Sequence, residues 1–262
     1  MSKVLLTIQY DGSSFSGYEL QPDKRSVRGE LENALSKIFG QKIDINAVSR
    51  TDAGVHAISQ IVSFSVDHKM PAQKIAYILN AFLPPDIRAI DSKEIKSREK
   101  IRHLVKYKEY QYLIFNGKIL PPFFRHYVWH LHQKLDLKKI KKAAKYFEGK
   151  YNFKSFCASR SNLYLRGKKL KNSDFVRTIY KVSISNKKIN LWDGCSIPVI
   201  SLKFKGDGFL YKMIRNIVGT LVEVGLGKRE PSNIKKIIAK KSRKYAGRCA
   251  PGEGLCLVRV SF

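Results

Sequence analysis

The sequence has few of the features that mark membrane, secreted or disulfide-stabilised proteins. It contains no stretch of about 18 apolar residues, which excludes a membrane-spanning helix. Its first residues hold too short an apolar run for a signal peptide and no small-residue cleavage site. These absences predict a cytoplasmic protein that does not associate with a membrane. Because 44% of the residues are apolar, the chain can bury a core.

Cysteine, metal-ligand and nucleotide-binding patterns are equally scarce. The four cysteines form no C-x-x-C pair, so we expect reduced thiols rather than disulfides. Three of the six histidines cluster at 126, 130 and 132, but no cysteine or carboxylate lies nearby at ligand spacing, so we expect no metal. Neither G-x-x-x-x-G-K-[ST] nor G-x-G-x-x-G occurs. The sequence therefore predicts no nucleotide and no other cofactor.

Acidic residues are few beside the basic ones. Fifty Lys and Arg face 21 Asp and Glu, which leaves a formal charge of +29. Such self-repulsion is tolerated most easily when the partner is a polyanion, and we favour nucleic acid. A lysine-biased, solvated surface is the alternative. An anionic membrane is a weaker candidate, because no basic amphipathic helix with an aromatic or leucine face stands out.

The apolar periodicity predicts one arrangement of elements, repeated twice. Residues 3–10 alternate as a strand, and a helix over 26–39 follows, with Ser26 as its cap and Gly40 behind it. Strands near 43–48 and 60–66, a helix from Pro71 and a strand near 87–95 complete the first set. The second set comprises a strand over 107–115, a helix over 136–148, strands near 175–185 and 199–205, a helix over 209–224 and a strand over 255–262.

This repeated β-α-β-β-α-β order is typical of split β-α-β units. We therefore predict an α/β (α+β) protein with two ferredoxin-like sandwich domains, whose antiparallel sheets meet at a central cleft. The predicted domains are residues 1–102 and 103–262.

The connection between the predicted strands 43–48 and 60–66 is oversized for neighbouring antiparallel strands. It carries Arg50, Asp52, Gly54 and His56, and long loops held by a rigid scaffold often carry function. A decorated loop, in which Asp52 caps a short helix and Arg50 makes a local ion pair, is an equally good interpretation from spacing alone.

Residues 50–57 (RTDAGVHA) are one of five motifs that run through both predicted domains. The others are residues 10–17 (YDGSSFSG), 108–112 (KEYQY), 208–219 (GFLYKMIRNIVG) and 250–255 (APGEGL). In kind and in order they resemble the motifs of the tRNA pseudouridine synthase A family. Two departures concern RNA contacts: Gly17-Tyr18-Glu19 stands where the family usually has Gly-Trp-Gln, and Lys108 stands where it usually has Arg.

The resemblance implies a homodimeric, cofactor-free isomerase that converts uridine to pseudouridine at positions 38, 39 and 40 of the tRNA anticodon arm. It identifies Asp52 as the catalytic carboxylate. Tyr110 is carried over as the ring that stacks on the extruded base, and Leu255 as an apolar wall. Arg50 and Arg215 are the two candidates for pairing with Asp52 and for displacing the base, and the sequence does not decide between them.

Two other classes of protein remain possible from the residues alone. A metal-independent ribonuclease would use His56 and a lysine, with Asp52 orienting the imidazole. A non-catalytic RNA-binding protein would use exposed aromatics on an antiparallel sheet. For His56 a structural role in the loop is favoured over general acid catalysis.

Overall fold

A computed structural model describes residues 2–96, 101–158, 164–165, 168–169 and 171–262. The chain forms two compact units. One comprises Met1–Lys108 and Cys256–Phe262, and the other comprises Glu109–Leu255. The domain division at residues 102 and 103 and the meeting of two sheets at a cleft stay predictions.

The first unit contains β1 (Ser2–Tyr10), α1 (Val27–Phe39), β2 (Asn46–Ala47), β3 (His56–Val66), α2 (Ala72–Leu79) and β4 (Ile87–Ile95). β1 lies between β3 and β4 and is antiparallel to both, and β2 pairs with β3. The predicted order of elements in this half is confirmed.

The first helix begins and ends where its capping residues predict. The Ser26 side chain accepts a hydrogen bond from the Gly29 N–H at 3.2 Å, and Gly40 ends the helix in the left-handed conformation with φ of 66°. The helix buries Val27, Leu31, Ala34 and Leu35.

The last strand, β12 (Leu255–Ser261), was predicted to close the second set of elements, but it pairs with a strand of the first unit. It runs parallel to β3, with Cys256 opposite His56 and Leu257 opposite Ala57. The Lys106 N–H also donates to the Ser261 carbonyl at 2.8 Å. The antiparallel arrangement predicted for the sheets is confirmed for most strands, and the pairing of β12 with β3 is an exception.

The second unit contains the remaining elements. They are β5 (Tyr107–Phe115, whose first two residues belong to the first unit), β6 (Trp129–His130), α3 (Leu137–Ala144), β7 (Gly149–Asn152), β8 (Tyr164–Leu165), β9 (Lys168–Lys169), β10 (Val176–Trp192), β11 (Cys195–Gly206), α4 (Met213–Gly225) and α5 (Asn233–Lys240). β10 and β11 form a long antiparallel hairpin, β7 flanks β10, and β6 runs parallel to β5.

One core cluster of this unit comprises Phe115, Phe124, Val128, Ile197 and Val199. The mixed α/β fold with mostly antiparallel strands, predicted from the periodicity, is confirmed. The long helix α4 begins at Met213 rather than at residue 209, because Lys212 adopts a left-handed conformation with φ of 57° that an α-helix cannot contain.

Candidate active site

The segment that carries Asp52 joins β2 to β3. Because β3 begins at His56, the connection covers residues 48–55 and is shorter than the sequence indicated. Its entrance is fixed by Gln60, whose side-chain amide donates to the Ser49 carbonyl at 2.6 Å and accepts from the Ser49 N–H at 3.3 Å. The Lys108 ammonium donates to the Val48 carbonyl at 2.7 Å.

A second segment of the first unit, residues 10–18, holds the loop from its other side. The Tyr10 hydroxyl and the Thr51 hydroxyl share a buried hydrogen bond of 2.7 Å. The Tyr18 N–H donates to the Thr51 carbonyl at 3.0 Å. An isolated antiparallel bridge pairs Gly17 with Asp52 itself. The backbone of Asp52 is thus fixed by strand-like pairing, although it lies in a loop.

Glycine is needed at two positions of this contact. A Cβ atom on Gly12 would lie 2.1 Å from the Val55 carbonyl oxygen, and a Cβ atom on Gly17 would lie 2.9 Å from the Thr51 carbonyl oxygen. Gly17 also has a φ of +117°, which L side chains rarely adopt. The glycines of the YDGSSFSG motif therefore allow two backbone segments to approach each other closely.

His56 contributes to the same contact from the start of β3. Its ring is 7% exposed, and its Nδ1 accepts a hydrogen bond from the Gly12 N–H at 3.0 Å. Asp11 Oδ1 lies 3.2 Å from the same nitrogen. These contacts favour the structural role for His56.

Arg50 pairs with Glu19. Its Nε donates to Glu19 Oε1 at 2.7 Å, and its side chain is 58% exposed. Arg50 is one of the two candidates for pairing with Asp52. In the described part of the chain, it makes an ion pair with Glu19. The sequence offered an ion pair of Arg50 as one interpretation, but it did not identify Glu19 as the partner.

Tyr18, the other departure from the motif, lies in the core of the first unit. It is 1% exposed, and its hydroxyl has no hydrogen-bond partner in the described part of the chain. Burial raises the pKa of Tyr18 well above its usual value, and the neighbouring Tyr10 and Glu19 raise it further. The Tyr18 ring is therefore a core side chain at the motif position where the family usually has Trp, and its hydroxyl is held neutral.

The other three predicted residues lie in the second unit. Tyr110 is 7% exposed, and its ring packs edge-on against Phe209 with centroids 5.3 Å apart and an interplanar angle of 83°. Arg215 lies on α4, and its Nε donates to the Ala250 carbonyl at 2.7 Å. Leu255 is 5% exposed at the start of β12.

The APGEGL segment is hydrogen-bonded to Arg215 and to the strand that carries Tyr110, and it ends at Leu255. Its Pro251 carbonyl accepts from the Tyr112 hydroxyl at 2.8 Å, and its Gly254 carbonyl accepts from the Leu113 N–H at 2.8 Å. Burial, followed by the charge of Glu253, raises the pKa of Tyr112 well above its usual value, while Arg215 opposes the shift. With the bond from Arg215 to Ala250, the motifs on β5, α4 and the 250–255 segment thus form one hydrogen-bonded neighbourhood within the second unit.

Among the described residues, no group of three or more His, Cys, Asp or Glu side chains is placed to hold a metal ion. In the same part of the chain, none of the helices has the length and apolar character needed to cross a membrane.

Residues 6–108 and 143–262 match the family model described as tRNA pseudouridine synthase, and the chain belongs to this family. It is accordingly an isomerase that converts uridine in tRNA to pseudouridine. This confirms the resemblance that the five motifs indicated.

Within the family, the chain is similar to proteins named tRNA pseudouridine synthase A. It is 38% identical to that of Acetivibrio thermocellus over 262 residues, which cover 100% of both chains. It is 39% identical to that of Bacillus licheniformis over 258 residues, 98% of this chain and 97% of the relative. It is 38% identical to that of Moorella thermoacetica over 259 residues, 98% of each.

Proposed function

We propose that the protein isomerises uridines 38, 39 and 40 of the tRNA anticodon arm and that the carboxylate of Asp52 is its catalytic group. The observation that carries this proposal is the support of the Asp52 backbone. A bridge to Gly17 and the hydrogen bonds of Thr51 fix the loop from one side, and Gln60 fixes its entrance from the other. A catalytic group must be held within a fraction of an ångström of its productive position, and the support of the loop backbone favours Asp52 for this role.

The reaction exchanges one bond of the nucleotide for another. The bond between N1 and C1′ breaks, the uracil rotates, and C5 bonds to C1′, after which C5 loses its proton and N1, no longer bonded to C1′, gains one. The carboxylate either attacks C1′, adds to C6 or abstracts a ribose proton. In each of these roles it acts as an anion, which an adjacent guanidinium favours.

The target base must leave its stack before it can react, at a cost of a few kcal/mol. We assign Tyr110 as the ring that stacks on the extruded base and Leu255 as an apolar contact. The edge-on packing of Phe209 against Tyr110 supports this assignment, because it fixes the plane of the ring before RNA arrives. Arg50 and Arg215 are assigned to contacts with the RNA or with the catalytic carboxylate.

The proposal also includes the partners and location implied by the resemblance. The protein would act as a homodimer in the cytoplasm, and the charge of +29 would attract the tRNA backbone.

The deciding experiment uses unmodified total tRNA labelled with tritium at C5 of uridine. Formation of the new bond at C5 releases the label into water, while the RNA keeps its length. Shortened RNA on a gel would instead indicate a ribonuclease. Binding of tRNA without release of tritium would indicate a non-catalytic RNA-binding protein. Mapping the pseudouridines then tests positions 38, 39 and 40.

A further inference from the structure

Glu19 connects two arginines through separate oxygens. Its Oε1 accepts from Arg50 Nε at 2.7 Å, and its Oε2 lies 3.2 Å from Arg28 Nη1. With one guanidinium on each oxygen, the carboxylate is fixed at two points. Its side chain remains 35% exposed, so solvent weakens these pairs, and their geometry is more informative than their strength.

Arg50, Glu19, Arg28 and Glu32 form a chain of ion pairs, called the relay below, which continues from Arg28 into helix α1. Arg28 Nε donates to Glu32 Oε1 at 2.7 Å, one helical turn away, and the same oxygen accepts from the Ile45 N–H at 3.2 Å. The side chains of Arg28 and Glu32 are 23% and 14% exposed, so this end of the relay is the more buried. The Arg28 N–H also donates to the Tyr18 carbonyl at 2.9 Å, which fixes the backbone beside Glu19.

The electrostatics of Arg28 are consistent with this arrangement. Burial alone lowers the pKa of Arg28, but the hydrogen bonds and charges of Glu32 and Glu19 outweigh it, and the net shift is upward. Arg28 is therefore a fixed cation between Glu19 and Glu32, with Asp44 Oδ1 3.8 Å from its Nη2. Arg28 lies on helix α1 and holds Glu19 in place, and Glu19 in turn holds the Arg50 side chain on the loop.

Arg50 is the outer end of the relay, two residues before Asp52. A long arginine side chain on a loop loses rotamer entropy when it is ordered. The bond from Nε to Glu19 supplies part of this order before RNA binds. Because the bond uses Nε, the two terminal nitrogens and their four N–H groups keep their capacity to donate to a phosphate or to a base.

We propose that Glu19 is a positioning residue for Arg50: it holds the guanidinium by its inner nitrogen, so that the terminal nitrogens meet the tRNA beside the catalytic loop. This inference rests on the proposed function. Glu19 also places a negative charge where RNA passes, so it acts on binding and on rate in opposite directions. Glu19 weakens the binding of tRNA, and it accelerates the single-turnover reaction, which depends on an ordered Arg50.

The test is a double-mutant cycle with Glu19→Ala and Arg50→Ala, in which tRNA affinity and single-turnover release of tritium are measured separately. We expect Glu19→Ala to slow single-turnover release about tenfold, a typical coupling for groups in direct contact. Its affinity for tRNA should be unchanged or slightly higher. In the Arg50→Ala background, Glu19→Ala should slow release by less than about twofold, because the residue through which it acts is gone.

Two further variants separate positioning from charge and from folding. Glu19→Gln keeps an oxygen that can accept from Nε, so it should recover part of the rate that Glu19→Ala loses. Glu94→Ala removes one exposed carboxylate from β4 in the same unit, so it should leave the rate near that of the wild type. Loss of both rate and affinity in Glu19→Ala, without recovery in Glu19→Gln, would indicate a structural role and overturn the inference.

Other outcomes would also overturn the inference. If Glu19→Ala slows the Arg50→Ala protein as much as it slows the wild type, Glu19 does not act through Arg50. If Glu19→Ala accelerates the wild-type reaction, Glu19 sequesters Arg50 from RNA and the proposed role is wrong. A wild-type protein that releases no tritium overturns the proposed function and this inference with it, whereas an active wild type with additive mutants overturns this inference alone.

Discussion

Asp52 lies on a segment whose backbone is paired on both sides, and its side chain is the group on which the proposed reaction depends. The loop around it has few ways to relax, since Thr51 and Asp52 are paired with residues 10–18. A substitution that changes only the charge of Asp52 therefore tests its chemistry without altering the fold.

Asp52→Asn keeps the size of the side chain and most of its hydrogen bonding, but removes the anion. We expect tritium release to fall on the order of 10⁴-fold or more, as for other essential carboxylates and nucleophiles. Affinity for tRNA should be nearly unchanged, because many phosphate contacts share the binding energy. A mutant that retains a tenth of the wild-type rate would remove Asp52 from the mechanism.

Tyr110 contributes a ring face in the proposed mechanism, so its hydroxyl should be dispensable. Tyr110→Phe is expected to bind tRNA and react at close to the wild-type rate. Tyr110→Ala should lose stacking of about 1–3 kcal/mol and most of the activity. An inactive Tyr110→Phe protein, folded by circular dichroism, would show that the hydroxyl takes part in the reaction.

Tyr18 offers a test of stability rather than of activity. Its buried hydroxyl has no partner in the described part of the chain, and such a group costs about 1–3 kcal/mol. Tyr18→Phe should therefore be at least as stable as the wild type in urea unfolding at pH 8. A loss of more than about 1 kcal/mol would mean that the hydroxyl is satisfied.

The raised pKa of Tyr18 also predicts how the free energy of unfolding depends on pH. The pKa of Tyr18 is raised in the folded state, so above about pH 10 the unfolded chain loses this proton first and the free energy of unfolding falls. Tyr18→Phe lacks this contribution. The stability difference in favour of the variant should therefore widen between about pH 9 and 11.

At the scale of elements, local patterns predicted most helices and strands, because caps and apolar periodicity act over a few residues. Ser26 and Gly40 bound α1 as expected. The pairing of β12 could not be predicted in this way. Both sets of elements have the same order, and nothing within residues 255–261 indicates that they pair with β3.

The details of the site depend on contacts that are distant in the sequence. Asp52 was identified from its motif, but the pairing of Arg50 with Glu19 joins residues 31 positions apart, and no periodicity reveals it. The start of α4 was missed for a different reason. The apolar stripe continues through Leu210, whereas the left-handed Lys212 that delays the helix has no signature in the sequence.

The contact between residues 10–18 and the loop that carries Asp52 can be tested through its glycines. A Cβ atom on Gly12 would meet backbone, which cannot yield as a flexible side chain can. Gly12→Ala should therefore displace the loop, and a shift of about 1 Å at a catalytic group can cost 10²-fold in rate. The measurement is single-turnover tritium release together with the melting temperature.

Gly40→Ala is the matched control for Gly12→Ala. Gly40 has a φ of +66° with open space around its Cα, so an alanine there meets only the backbone cost of about 1 kcal/mol. We expect a lower melting temperature and normal activity. Equal losses of activity in both variants would mean that stability, and not the position of the loop, limits the rate.

At the scale of the whole molecule, the excess of positive charge is the dominant property. A charge of +29 opposes compactness in isolation, but it becomes favourable when phosphates approach. The excess is distributed along the chain, and exposed lysines of single helices, such as Lys141 and Lys142 on α3, form only a small part of it.

This distribution predicts how the affinity for tRNA depends on salt. Each neutralised phosphate releases counterions, so a surface that contacts about five phosphates gives a log–log slope near −4. We expect a slope of this size for the wild type, measured by filter binding of tRNA between about 50 and 200 mM salt.

Because no single helix dominates, Lys141→Ala combined with Lys142→Ala should change the slope by less than about one unit. A wild-type slope near zero would show that the charge is not an RNA-binding surface. A large change in the double variant would instead locate that surface on α3.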